Sequence, residues 1–187
     1  MDENRDKIGL PYLRLATLAI GVMVFDRITK MIVVNSMGLG DSTCIVGNFF
    51  CITLVKNPGG AFGTRFGGNF FYIGAAVLAA IMLVFWLFHK SHRTYGLAGI
   101  ALMLGGAAGN LWDRLTAGKV VDFLDFGIGK TRWPTFNIAD SAITLGILLL
   151  ILQEFLSVRQ QAKDISIQRC DEQHRNRQSD NSDESHQ

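Results

Sequence analysis

Apolar residues are distributed unevenly along this chain of 187 residues, and the longest apolar runs have the length of membrane-crossing helices. Phe66 to Phe88 provides 23 positions without a charged side chain, and Thr94 to Trp112 provides 19. About 20 apolar residues cross the hydrocarbon core of a bilayer as an α-helix. Two weaker segments, Tyr12 to Val34 and Ile138 to Val158, flank this pair. The pattern predicts an all-α membrane protein with four transmembrane helices.

The two weaker segments carry charged residues toward one end. The apolar stretch Leu15 to Phe25 has the length of a signal peptide, but "VFDRITK" follows where small residues would precede a cleavage site. We therefore expect an uncleaved first helix. In the last segment only Ser141 to Gln153 is uncharged, which is too short to span alone. This places Asp140 at or just inside the membrane edge.

The segment between the first two helices, Asn35 to Arg65, is too long for a simple turn. Its run "CIVGNFFCITLVKN" is rich in β-branched and aromatic residues, and the turn signals "MGLGDS" and "NPGGAFG" enclose it. The pattern predicts a short strand or hairpin on the membrane surface, a small extracytoplasmic platform. The second long loop, Arg114 to Asn137, lies on the same side.

Beyond the last apolar segment the chain becomes polar, with no aliphatic residue after Ile167. Such a composition cannot bury enough apolar surface to pack a core. We expect residues 1–158 to form a single membrane-embedded domain and residues 159–187 to form a disordered cytoplasmic tail.

Positive charge is densest in two short regions, which sets the expected orientation. The linker "HKSHRT" at 89–94 carries Lys90 and Arg93, and the N-terminus carries Arg5, Lys7 and Arg14. Basic residues next to short loops favour the cytoplasmic side, so both termini are expected there. The net charge of +2 is uninformative about partners.

No metal-ligand spacing occurs among the cysteines, histidines and acids. We therefore expect no metal and no cofactor, and no nucleic-acid partner. Whether Cys44 and Cys51 pair stays open.

Three acids lie close to hydrophobic sequence on the side of the long loops: Asp122 and Asp125 in "VVDFLDF" and Asp140 in "FNIADSAI". A charge at the centre of a bilayer costs at least about 2.5–3.5 kcal/mol, so such residues usually have a function. Two carboxylates held close together share a proton. One can then activate water while the other protonates or polarises a carbonyl, as in an aspartic hydrolase.

Each candidate also has a purely structural interpretation. Asn137 and Asp140 have the spacing of an N-cap and an acidic third helical residue, and Asp122 and Asp125 fit loop acids at a lipid surface. "GGAAG" at 105–109 is typical of close helix packing. Asp26 and Lys30 have the spacing of an ion pair within a helix, and Arg114 with Asp113 fits an anchor at the membrane interface.

The run "GGAAGNLWDRLTAGKVVDFLDF…WPTFNIADSAI", residues 105 to 143, closely resembles the lipoprotein signal peptidase family, also called signal peptidase II. "DRITK" at 26–30 and "VKNPGGAFG" at 55–63 resemble two earlier motifs of that family, in the right order. The resemblance covers about residues 12 to 158. It implies a bacterial inner-membrane aspartic endopeptidase that cuts signal peptides from prolipoproteins just before a diacylglyceryl-modified cysteine.

By the motif match, the resemblance implies that Asp122 and Asp140 are the catalytic pair and that Asp125 is not catalytic. The residues that match positions lining or supporting the site are Asp26, Lys30, Asn57, Gly105, Asn110, Arg114, Asn137 and Ala139. The implied partners are diacylglyceryl-prolipoprotein substrates, membrane lipids and globomycin-type inhibitors, and we expect a monomer. We expect Arg114 and Asn137 to hold loops and helix ends through hydrogen bonds.

The rival function is a small proton-coupled transporter that uses intramembrane acids as a relay. It predicts charges near the midplane and repeated halves with broken helices, whereas the acids here cluster at one end. A non-catalytic lipid-binding scaffold would not need two acids in register with asparagine and arginine partners.

Overall fold

In a computed structural model, the described residues 3–60, 67–89 and 94–184 contain four helices and a small sheet. The helices are α1 (Glu3–Ser36), α2 (Gly68–His89), α3 (Thr94–Ala117) and α4 (Ile138–Glu184). The strands are β1 (Ser42–Val46), β2 (Phe50–Asn57), β3 (Val120–Ile128) and β4 (Thr131–Arg132). The prediction of a helical protein with a small β platform is therefore confirmed.

Two of these helices, within the described ranges, are long and apolar enough to cross a membrane: Gly68–Leu87 and Ile138–Arg169. Only 6% and 17% of their most apolar windows are buried inside the protein. Apolar side chains that face outward in this way are not those of a soluble core. α1 contains the buried polar residues Asp26 and Lys30, and α3 contains Asn110 and Asp113. That all four helices span the membrane stays a prediction.

Glycine lets the helices approach closely at the positions where the sequence suggested packing. A Cβ atom on Gly105 would lie 2.5 Å from the Ala19 carbonyl oxygen of α1, and one on Gly106 would lie 2.4 Å from the Ala139 carbonyl oxygen of α4. No side chain fits at those distances, so α3 contacts both neighbours backbone to backbone. The close-packing interpretation of "GGAAG" is confirmed.

The sheet is antiparallel in the order β1-β2-β3-β4, and so it joins the two long loops. The hairpin β1–β2 was predicted. β3 was not, since "VVDFLDF" was treated as loop; that interpretation is wrong, and Asp122 and Asp125 are buried strand residues. A small core beneath the sheet consists of Val33, Leu54 and Phe123.

Cys44 and Cys51, whose pairing the sequence left open, form a disulfide between directly opposed residues of β1 and β2. The bond links the two strands near the tip of the hairpin.

The predicted disordered tail differs from the structure, in which α4 continues to Glu184. The prediction considered only packing, but local helix propensity acts without a core. Residues 147–184 contain no glycine or proline and many good helix formers. By internal contacts the chain divides into two units, Met1–Leu150 and Ile151–Gln187. The candidate site described below belongs entirely to the first unit.

Candidate active site

Two of the three candidate acids line one cavity of about 670 Å3. Asp122 comes from β3 and Asp140 from the first turn of α4. The cavity is otherwise lined by Asn57, Gly60, Asn110, Arg114, Val120, Trp133, Pro134, Thr135, Phe136, Ser141, Ile143, Thr144 and Leu145. Its wall is mostly apolar, and its polar groups are the two carboxylates, two asparagine amides, the Arg114 guanidinium and three hydroxyl groups, which is the usual composition of a ligand site.

Asp122 is 2% exposed, and both of its oxygens accept hydrogen bonds from amide groups. Asn57 Nδ2 donates to Oδ2 over 3.0 Å and Asn137 Nδ2 donates to Oδ1 over 2.7 Å. The pKa of Asp122 is raised to about 6, mainly by burial and then by the charge of Asp140, while the two amide hydrogen bonds and the charge of Lys30 limit the rise. Asp122 thus keeps a proton at pH values where an ordinary aspartic acid has lost it.

Asp140 is held from two directions. Asn110 Nδ2 donates to Oδ1 over 2.8 Å, and the Asn137 backbone N–H donates to Oδ2 over 3.2 Å. The Asp140 N–H in turn donates to Asn137 Oδ1 over 2.9 Å. This reciprocal pair is the capping box at the start of α4. The N-cap interpretation is confirmed, and the same contacts aim Asp140 at the cavity.

Asp26 and Lys30 form the predicted ion pair, with Lys30 Nζ 2.8 Å from Asp26 Oδ2 and both residues 1% exposed. They also reach the site. Lys30 Nζ donates to Asn110 Oδ1 over 3.0 Å, and Asp26 Oδ1 accepts from the Ala139 N–H over 2.9 Å. Asp26 therefore fixes the first turn of α4 beside Asp140.

Arg114 lines the cavity and holds the loop after β2. Its guanidinium donates to the Gly59 carbonyl over 3.1 Å and to the Asn110 carbonyl over 3.2 Å, and it lies over the Tyr72 ring. The expectation that Arg114 holds a loop is supported. Gly105 lies away from the cavity and acts through the contact of α1 with α3.

Asp113 was interpreted as part of an interfacial anchor, and this is wrong. The residue is 2% exposed, and it accepts hydrogen bonds from Arg27 and from the Val121 N–H. Sequence reasoning missed its contacts with α1 and with the strand that carries Asp122. The signal was available, because positions 110, 113 and 114 share one face of a helix.

Asp125 stands apart from the other acids. It lies three residues after Asp122 on the same strand, and an odd separation puts it on the opposite face of the sheet. There it accepts hydrogen bonds from Arg132 Nε and from Thr53 Oγ1, over 2.6 and 2.7 Å. It holds β2, β3 and β4 together on the side away from the cavity.

Comparisons with known proteins show which family this chain is similar to. The sequence model of the family described as Signal peptidase (SPase) II matches residues 18–156. The chain is 38% identical over 146 residues to a lipoprotein signal peptidase of Desulforapulum autotrophicum, which covers 74% of this chain and 90% of the relative.

The chain is also 42% identical over 154 residues to a lipoprotein signal peptidase of Cupriavidus taiwanensis. That match covers 80% of this chain and 86% of the relative. A solved structure described as a bacterial membrane enzyme matches with a TM-score of 0.71 and 35% identity, covering 81% of this chain and 90% of that one. The chain therefore belongs to the signal peptidase II family.

Proposed function

We propose that this protein removes signal peptides from diacylglyceryl-modified prolipoproteins as an aspartic endopeptidase, with Asp122 and Asp140 as the catalytic pair. One observation carries the proposal. Two carboxylates from different elements face one cavity, and burial with mutual repulsion raises the pKa of Asp122 to about 6. A pair of this kind shares one proton, as peptide hydrolysis by two acids requires.

In this scheme Asp122 holds the shared proton, because burial raises its pKa. Asp140, as carboxylate, accepts a proton from water while the water oxygen bonds to the scissile carbonyl carbon. Asp122 donates its hydrogen bond to the carbonyl oxygen as negative charge develops there. Collapse of the tetrahedral intermediate breaks the C–N bond, and the proton held by Asp140 passes to the leaving nitrogen. No metal or cofactor takes part in this scheme.

The remaining predicted site residues have supporting roles in this proposal. Asn57, Asn110 and Asn137 donate to the acids, Asp26 and Lys30 hold α4 and Asn110, and Arg114 holds the cavity rim. Gly105 and Ala139 permit the close helix contacts. We place the enzyme in the bacterial inner membrane as a monomer, with both termini and the tail cytoplasmic and the cavity near the outer face.

Membership of a peptidase family leaves the transporter alternative without support. The position of the acids argues against it as well, since Asp122 lies in the sheet and Asp140 at a helix start.

The test is cleavage of a diacylglyceryl-modified prolipoprotein peptide by the purified protein, with and without globomycin. Asp122→Asn and Asp140→Asn should each abolish cleavage while the protein stays folded. Asp125→Asn is the matched control, because it neutralises another buried acid of β3 and should keep substantial activity. Full activity in either of the first two variants would refute the catalytic assignment.

A further inference from the structure

Asp113 occupies a place between α1 and the strand that carries Asp122. Its Oδ1 accepts from Arg27 over 3.0 Å, and its Oδ2 lies 2.9 Å from Lys30 Nζ. The same Oδ2 accepts from the Val121 N–H over 3.3 Å. Val121 directly precedes Asp122, so one carboxylate joins two cations of α1 to the backbone beside a catalytic acid.

We propose that Asp113 is a positioning residue for the acid pair. It aligns the two acids through Val121 and Lys30, and it balances the positive charges near them. The proposal rests on the proposed function, because it takes Asp122 and Asp140 as the reacting acids. Asp113 does not line the cavity. It acts only through other groups.

The first part of the argument is the charge balance of the cluster. Arg27 and Lys30 carry two positive charges, and Asp26 and Asp113 carry two negative charges. Lys30, Asp26 and Asp113 have side chains no more than 3% exposed. An unbalanced charge there would be screened weakly by solvent and salt. Asp113 makes the cluster neutral.

The second part is the path from the cluster to the acids. Lys30 has three donor hydrogens, and Asp26, Asp113 and Asn110 Oδ1 provide three acceptors within 3.0 Å. Because Asn110 Oδ1 accepts from Lys30, its Nδ2 is the atom that faces Asp140. Asp113 thus influences Asp140 through Lys30 and Asn110, and Asp122 through Val121.

Several charged groups surround Asp122. Asp140 faces it from α4, the cluster of Arg27, Lys30, Asp26 and Asp113 lies on α1 and α3, and Arg114 comes from the rim. Lys56 follows Val55 on β2, and the paired Asp125 and Arg132 lie on the far face of the sheet. Lys30 lowers the pKa of Asp122 and Asp140 raises it. Loss of the Asp113 charge leaves Lys30 and Arg27 only partly compensated, which favours the ionised form of Asp122.

The experiment measures kcat and KM against pH for Asp113→Asn in the full-length, lipid-reconstituted enzyme, with a diacylglyceryl-modified prolipoprotein peptide as substrate. The substitution keeps the side-chain shape and one acceptor oxygen. We expect kcat to fall about tenfold or more while KM stays within about twofold. The pH profile should move to lower pH by about half a unit or more.

Arg27→Gln supplies the opposite change and does not depend on a buried substitution, since the Arg27 side chain is 45% exposed. It leaves the cluster with one excess negative charge. We expect the pH profile to move to higher pH, by less than the Asp113→Asn shift because of solvent screening.

Asp125→Asn is the control, because it removes a buried acid of β3 with its own arginine partner and should leave the profile in place. An unmoved profile in Arg27→Gln and in folded Asp113→Asn would overturn the proposal. If Asp113→Asn fails to fold, Arg27→Gln alone decides. Asp122→Asn and Asp140→Asn are measured in parallel. Activity in those two variants would refute the catalytic pair itself. If both are inactive and the pH profiles of Arg27→Gln and Asp113→Asn are unmoved, only the role of Asp113 is refuted.

Discussion

At the scale of single residues, structural and catalytic interpretations of the same side chain are compatible here. Asn137 caps α4 and also donates to both acids. The cap was predictable, because it depends on residues three apart. The Asn110 contact with Asp140 was not, because it depends on how α3 packs against α4. Asn137 also lowers the pKa of Asp122, which goes beyond the expected role of holding a helix end.

The raised pKa of Asp122 makes a prediction about stability. Its ordinary value is 3.8 and its value in the folded protein is about 6. Between those pH values the folded state holds a proton that the unfolded state has lost. The contribution of Asp122 to stability is therefore fully present below about pH 3.8 and is lost as pH rises through about 6.

Asp122→Asn cannot ionise, so its thermal unfolding midpoint should decline less than that of the wild type between pH 4 and pH 7. Thermal unfolding of both proteins in the same detergent across this range checks the prediction. Parallel curves for the two proteins would contradict it.

At the scale of elements, the sequence predicted the helices and the hairpin, whose signals lie in neighbouring residues. It missed β3, whose residue pattern depends on what packs against the strand in the folded protein. The helices followed from apolar runs and the β1–β2 hairpin followed from turn signals. β3 lacks a clean alternation of apolar and polar residues because both of its faces are covered. Asp122 faces the cavity, Phe123 faces the core, and Asp125 faces Arg132. A strand buried on both faces is difficult to distinguish from other apolar segments.

The contact of α3 with α4 predicts a position-specific glycine effect. Gly106→Ala places a Cβ atom 2.4 Å from the Ala139 carbonyl oxygen, so the start of α4 must move away from α3. Asp140 lies one residue beyond, and a displacement of about 1 Å can cost about a hundredfold in rate. We expect a lower unfolding temperature and a large loss of kcat.

Gly74→Ala is the matched control, since a Cβ atom there meets nothing within 4 Å. In the middle of α2 it should leave activity unchanged and stability equal or slightly higher. If the two alanine variants behaved alike, close packing at Gly106 would not matter for the site.

At the scale of the whole molecule, the catalytic unit and the polar tail are separable in sequence. The family match ends at residue 156, and every residue of the site precedes Leu150. A truncation after residue 162 should therefore insert and cleave with unchanged kcat and KM. Loss of turnover in a stably inserted truncation would show that the tail contacts the site or the substrate.

The orientation of the molecule is the remaining expectation from sequence, and it follows from charge. The linker at 89–94 concentrates Lys90 and Arg93, and cytoplasmic loops carry the excess of such residues. The sheet joins the two long loops at the other ends of the helices.

We expect single cysteines at position 48 to react with an impermeant maleimide added to intact cells, and those at positions 91 and 175 to react only after permeabilisation. Cys44, Cys51 and Cys170 are replaced by serine in this background, and retained cleavage activity shows that loss of the Cys44–Cys51 disulfide has not unfolded the sheet. Labelling at 91 or 175 in intact cells, with position 48 protected, would place the acid pair on the cytoplasmic side and overturn the proposed topology.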